Sequence, residues 1–173
     1  MNEVLNAIEQ RRSVRGYEDR ALTPEQIDAL VKAALESPSA RNAQPWHFSF
    51  VTDQALLAQI NAEILKNSGL TDREIFYGAP LCVFLSADRE NSWGPVDCGI
   101  AVENLALAAH GLGLGSVILG MPRAAFAGQR RAEFEQALKI PQTHDFVVAI
   151  AIGVPAMSKE AHEVFPGKVD FVR

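Results

Sequence analysis

The sequence predicts one domain of mixed helix and strand, and three observations carry that expectation. Trp46, Phe48 and Phe50 alternate with His47, Ser49 and Val51, the two-residue period of a half-buried strand. Leu81–Ala87 and Phe146–Ile152 are continuous apolar runs suited to central strands. Between these segments, apolar residues recur at helical spacing.

In chain order, residues 3–11 read as a short amphipathic helix with Val4, Leu5 and Ile8 on one face. A second helix starts at Thr23, where Pro24 fits the first helical position and Gln26 completes a capping box. Leu22 and Ile27 are spaced for a hydrophobic staple, and Pro38 stops the helix by biasing Ser37 out of the helical region. After the strand at 46–51 comes a helix over 53–66 and a loop over 67–80. Residues 96–110 form a helix apolar on nearly all sides, as expected of one buried in a large core or at a subunit interface. Ser116–Leu119 reads as a strand, 128–138 as a helix, and the strand at 146–152 ends at Gly153. The tail, 154–173, closes with alternating Val169 and Phe171, a pattern able to add a strand to a neighbouring sheet edge.

A length of 173 residues suits one domain with a real core, and 48% hydrophobic against 21% charged residues is a globular balance. A net charge of −5 argues against broad nucleic-acid binding, but a local arginine cluster can still attract a small anion. Cys82 and Cys98 are too few for a disulfide framework or a zinc site and read as buried thiols. The N-terminal residues lack the apolar run of a secretory signal, and the apolar stretch Ile100–Leu119 is broken by Glu103, Asn104, His110 and glycines. A cytoplasmic location without membrane contact is the expectation.

Two constellations invite a ligand. Arg11, Arg12 and Arg15 place three cations within five residues, with the hydroxyl of Ser13 among them. Guanidinium groups make charge-assisted, often paired hydrogen bonds to phosphate, but cations at a helix end also complement the helix dipole. The stretch Pro38-Ser39-Ala40-Arg41-Asn42-Ala43-Gln44-Pro45-Trp46 sets a small hydroxyl and two amides between prolines. It suits a rigid loop offering short polar groups to a flat ligand, or amides that bond their own backbone. Gly111, Gly113 and Gly115 follow a helix and open a strand, the reverse of a dinucleotide loop, so they read as a helix end and sharp reversal. Asp97, Glu103 and Asn104, set in the apolar helix, need partners if buried and read as structural or interface groups.

Taken together, the chain resembles the FMN-dependent nitroreductase family over almost its whole length. The resemblance rests on Arg11-Arg12-Ser13-Val14-Arg15, Leu22-Thr23-Pro24-Glu25, Ser37–Trp46, Asp97–Leu107, Gly113–Gly120 and Ile150–Pro155. It implies an α+β fold, with a central mixed or antiparallel sheet flanked by helices, in an intertwined homodimer with two FMN sites at the interface. By that resemblance Arg11, Arg12, Ser13 and Arg15 of one subunit hold the phosphate, ribityl chain and pyrimidine side. Pro38, Ser39, Ala40 and Asn42 come from the other subunit, and Ile118, Leu119 and Gly120 line the ring. Lys168 is the expected distal phosphate cation, with Lys159 and Arg173 as rivals. No catalytic side chain is implied, because the chemistry belongs to the flavin, with NADH or NADPH as co-substrate. Larger relatives carry an asparagine and a lysine after the third helix where Thr71 and Glu74 stand here. An acidic residue often found before the last glycine of the turn is Leu119 here.

Overall fold

The computed structural model describes residues 2–172 and contains five α-helices and four strands. Helix α1 spans Glu3–Gln10, capped by Asn2, whose Oδ1 accepts the Val4 N–H at 2.9 Å. Helix α2, Pro24–Leu35, opens with the expected capping box: Thr23 Oγ1 accepts the Gln26 N–H and Gln26 Oε1 accepts the Thr23 N–H. Helix α3, Gln54–Ser68, is capped by Asp53 and ends at left-handed Gly69. Helix α4 runs Gly94–Gly111, and α5 runs Arg131–Ala137. The strands are β1, Trp46–Val51; β2, Leu81–Asp88; β3, Gly115–Leu119; and β4, His144–Gly153.

The four strands form one antiparallel sheet in the order β1-β2-β4-β3. Alternation along β2 sends Leu81, Val83 and Leu85 to one face, where α2 and α4 cover them with Leu30, Ala34, Cys98, Ala101 and Leu105. Cys82 and Phe84 face the other way, toward Ile60 and Ile64 of α3, Phe134 of α5, and Phe146. Phe126 stacks on Phe146 with ring centroids 4.7 Å apart. The cysteines therefore lie in different cores. Burial pushes the Cys98 thiol up to about 12, with Asp97 adding to the shift, and raises the Cys82 thiol as well. Both thiols are expected to resist a thiol-specific reagent in the folded protein and to react in urea; fast labelling of the native chain contradicts this burial.

Two expectations are corrected. The helix expected over 128–138 is shorter, because Gly128 is extended (φ −102°, ψ −175°) and separates α5 from a 3-10 turn over Met121–Ala127. A Cβ at Gly128 would lie 2.5 Å from Asn67 Nδ2 and 2.8 Å from Glu63 Oε1, so the backbone passes hard against α3 there. In β1, Ser49 and Val51 are buried while Phe48 and Phe50 are only half-buried. Ser49 tolerates burial because its hydroxyl donates to the Leu138 carbonyl at 2.5 Å. In the single chain α4 is not covered all round: Val96 and Ile100, with Trp93 just before the helix, are exposed, as are Val4, Leu5 and Ile8 of α1.

The tail leaves the sheet at Gly153. It is held at Pro155 and Ala156 by contacts with Tyr17 and Gly16, and Val164, Phe165, Val169, Phe171 and Val172 beyond are exposed. Among the described residues of the tail beyond Ala156, the regular element is a 3-10 turn over Pro166–Lys168. No helix among the described residues is long and apolar enough to cross a membrane.

Candidate functional site

The arginine run is stitched to the sheet where two glycines face each other. Gly115 of β3 pairs with Gly153 of β4, and the segment from Arg11 to Glu18 passes over that pair. A Cβ at Gly115 would lie 3.0 Å from Val14 Cβ, and one at Gly153 would lie 2.9 Å from Tyr17 Cδ1. The Val14 N–H donates to the Ser116 carbonyl and the Glu18 N–H to the Val154 carbonyl, each at 2.9 Å. The Tyr17 hydroxyl lies 2.9 Å from the Val14 carbonyl and 3.2 Å from that of Ala151, and donates between them. Burial above all holds this phenol protonated, well above its ordinary range.

Beside this seam lies a cavity of about 350 Å³ whose polar wall includes Arg11, Arg12, His110, Ser116 and Lys159. The Arg12 Nη1 donates to the carbonyls of Glu9 (2.5 Å) and Arg11 (2.9 Å), so this guanidinium also closes the carbonyl end of α1. Arg11 Nε is 3.2 Å from Glu103 Oε1, yet it is buried and makes no hydrogen bond; its N–H is not aimed at that oxygen. Arg11 and Arg12 therefore line the cavity, and Arg12 also complements the end of α1. Ser13 forms a parallel bridge to Ser116, whereas Arg15 is exposed, its Nη1 donating to the Ser13 carbonyl at 3.3 Å.

The second constellation stands apart. Pro38, Ser39, Ala40 and Asn42 do not line the arginine cavity. Arg41, Asn42 and Gln44 adopt left-handed backbone, with φ of 57°, 54° and 47°. Such conformations cost on the order of 1–3 kcal/mol for bulky residues, least for asparagine, and persist only where surroundings impose them. The Gln44 N–H donates to Ser39 Oγ, and Gln44 Nε2 donates to Asn42 Oδ1. These bonds use acceptors; among the described residues the Ser39 O–H and the Asn42 NH₂ donate to no protein group.

At the end of β3 the side chains divide. Ile118 is 38% exposed, whereas Leu119 is 7% exposed and packs into the core facing α3. That burial accounts for an apolar residue where an acidic one was expected, and it leaves Leu119 only backbone to offer. Gly120 is exposed, and a Cβ there would meet nothing. Thr71 is exposed, and Glu74 Oε1 accepts the N–H of Phe76 in its own loop. Among the tail cations Lys159 lines the arginine cavity, Lys168 does not and is exposed, and Arg173 lies outside the described residues. His110 and Ser116, both in that cavity wall, were not singled out from sequence; their position beside the glycine reversal was the available signal.

The fold is shared with solved nitroreductases. A nitroreductase with bound FMN from Desulfitobacterium hafniense superposes with a TM-score of 0.93 at 30% identity, over 100% of both chains. An FMN-dependent nitroreductase from Clostridium difficile gives 0.87 at 30% identity, over 99% of each. The Nitroreductase family model matches residues 8–154. A protein of Archaeoglobus fulgidus, provisionally named an NADH dehydrogenase/NAD(P)H nitroreductase, is 35% identical over 169 residues, 94% of this chain and 91% of that protein. The chain belongs to the nitroreductase family.

Proposed function

We infer that this protein is an FMN-dependent oxidoreductase that takes electrons from NADH or NADPH and passes them to a small-molecule acceptor in alternate half-reactions. Nitroaromatics, quinones and free flavins are the acceptor classes. The observation that carries the reading is the convergence of Arg11, Arg12 and Lys159 on one cavity beside β3, in a chain of this family. Three cationic groups with Ser116 form a donor set suited to a phosphate monoester. When bound, FMN supplies the two-electron chemistry; the chain supplies position and electrostatics.

The working unit is a homodimer, in which the Ser39–Asn42 loop of one subunit completes the site of the other. The exposed apolar faces of α1 and α4, together with the apolar tail, support that assembly. Arg11 and Arg12, with Lys159 rather than Lys168, hold the phosphate. Ser13 and Arg15 meet the ribityl chain and pyrimidine side, where the Arg15 cation favours negative charge on the reduced ring. Ile118 offers an apolar wall, and the Gly120 N–H lies at the open end of β3 for a polar ring atom. Pro38 and Ala40 shape the loop that presents the Ser39 and Asn42 donors.

The purified protein is expected to be yellow, with FMN as the released chromophore, and to oxidise NADH or NADPH steadily when a quinone is present. Initial rates varied in both substrates should give parallel double-reciprocal lines. A colourless protein that takes up no FMN supplied in excess defeats the assignment. A yellow protein without turnover leaves a flavin-binding or storage role instead.

A further inference from the structure

Asp97 sits in the first turn of α4, is 2% exposed, and lies in an otherwise apolar stretch of that helix. A buried carboxylate is costly unless it is paired, and no cation meets this one among the described residues. Its Oδ1 accepts a single hydrogen bond, from the Ala40 N–H at 3.1 Å, and its Oδ2 is buried with no partner. The helix dipole supports a negative charge at this end of α4. A neutral apolar residue would pack there at less cost, so the carboxylate calls for a reason beyond stability.

The loop it touches supplies that reason. From Ser39 to Gln44 the other hydrogen bonds run within the loop: Asn42 N–H to the Ser39 carbonyl, Ala43 N–H to the Ala40 carbonyl, and the two made by Gln44. Within Ser39–Gln44 the Asp97 bond to Ala40 is the hydrogen bond that reaches the body of the fold among the described residues, ahead of the Asp88 N–H bond to the Pro45 carbonyl, in a segment with three left-handed, non-glycine residues. We propose that Asp97 is a positioning residue for the flavin site: by holding the Ala40 N–H it fixes the strained loop so that the Ser39 hydroxyl and the Asn42 amide point their donors at the cofactor. This rests on the FMN reading above. Asn104 assists from two turns further along α4, its Nδ2 donating to Ser37 Oγ at 3.0 Å where the loop begins.

Two substitutions remove the bond from opposite sides. Asp97→Ala deletes the acceptor. Ala40→Pro deletes the donor, at a position that opens a 3-10 turn and follows extended Ser39 (φ −137°, ψ 153°), a geometry proline accepts. FMN affinity is read from quenching of flavin fluorescence, and loop placement from the visible circular dichroism of the bound flavin. Each single variant is expected to weaken FMN about tenfold, the loss of one charge-assisted hydrogen bond, and to change the dichroism in the same way. The double variant should be no weaker than the worse single, and Asp97→Asn, which keeps an acceptor oxygen, should stay within about threefold of the parent.

Parent-like binding by Asp97→Ala and Ala40→Pro, or effects that multiply in the double variant, overturns the proposal. If Asp97→Ala does not fold, Ala40→Pro and Asp97→Asn decide it. Arg12→Glu, run in parallel, separates the two levels. If it loses FMN while the Asp97 and Ala40 variants keep it, only the positioning role falls; if all of them keep FMN, the flavin site itself is misassigned.

Discussion

Arg12→Glu is expected to purify without colour and to bind FMN at least about 100-fold more weakly than the parent chain. The size follows from the local chemistry. Arg12 lines the cavity with Arg11 and Lys159, and among the described residues its guanidinium meets backbone carbonyls and no carboxylate. Removing one charge-assisted bond to a phosphate costs about 1.5–3 kcal/mol, and a carboxylate in its place adds repulsion. A total of about 3–4 kcal/mol corresponds to roughly two to three powers of ten in affinity. The same change sets a negative charge against the carbonyl end of α1, a further cost of about 0.3–1 kcal/mol to the apo fold. Equilibrium dialysis against FMN, with urea unfolding of the apo protein, separates the two effects. Arg12→Lys, which keeps the charge but loses the planar fork, should fall between parent and Arg12→Glu. An Arg12→Glu protein that carries a full complement of FMN removes the phosphate from this cavity.

Much of the fold was legible because its signals are local. Thr23, Pro24 and Gln26 announce the start of α2, and the apolar runs of β2 and β4 announce central strands. Where the reading failed, a distant contact decided the outcome. Gly128 interrupts the expected helix with an extended backbone that passes against Glu63 and Asn67 of α3, and the burial of Ser49 depends on a carbonyl 89 residues away. The candidate site was legible in its residue types and less so in their grouping. Arg11 and Arg12 do share a cavity, but spacing could not say that Lys159, rather than Lys168, joins them. Nor could it show that Leu119 turns its side chain into the core. The glycines at 115 and 153 carry no periodic signal. Their reason is what lies against them, Val14 of the arginine run at Gly115 and Pro80 with Tyr17 at Gly153, which only the folded chain brings there.

That close packing makes Gly153→Ala the second large effect, one in which stability and ligand binding should fall together. A Cβ at Gly153 would lie 2.6 Å from Pro80 Cδ and 2.9 Å from Tyr17 Cδ1. Neither neighbour yields easily. The proline ring is tied to its own backbone, and the Tyr17 ring is anchored by a hydroxyl shared between Val14 and Ala151. Overpacking of this kind costs about 1–3 kcal/mol of folding stability, and relief comes most readily by lifting Tyr17. Lifting Tyr17 also moves Val14 and the arginines behind it, so FMN affinity should drop about tenfold in a protein that is still folded. Phe134→Ala is the contrast. That side chain is fully buried beside α3, outside the arginine cavity, and its truncation should cost about 3–5 kcal/mol. At temperatures where it remains folded, its FMN dissociation constant should match the parent's. Urea denaturation of the apo forms and FMN titration of each variant test both halves. If Gly153→Ala loses stability yet binds FMN as the parent does, the glycine pair serves only the sheet, and the arginine run is positioned by something else.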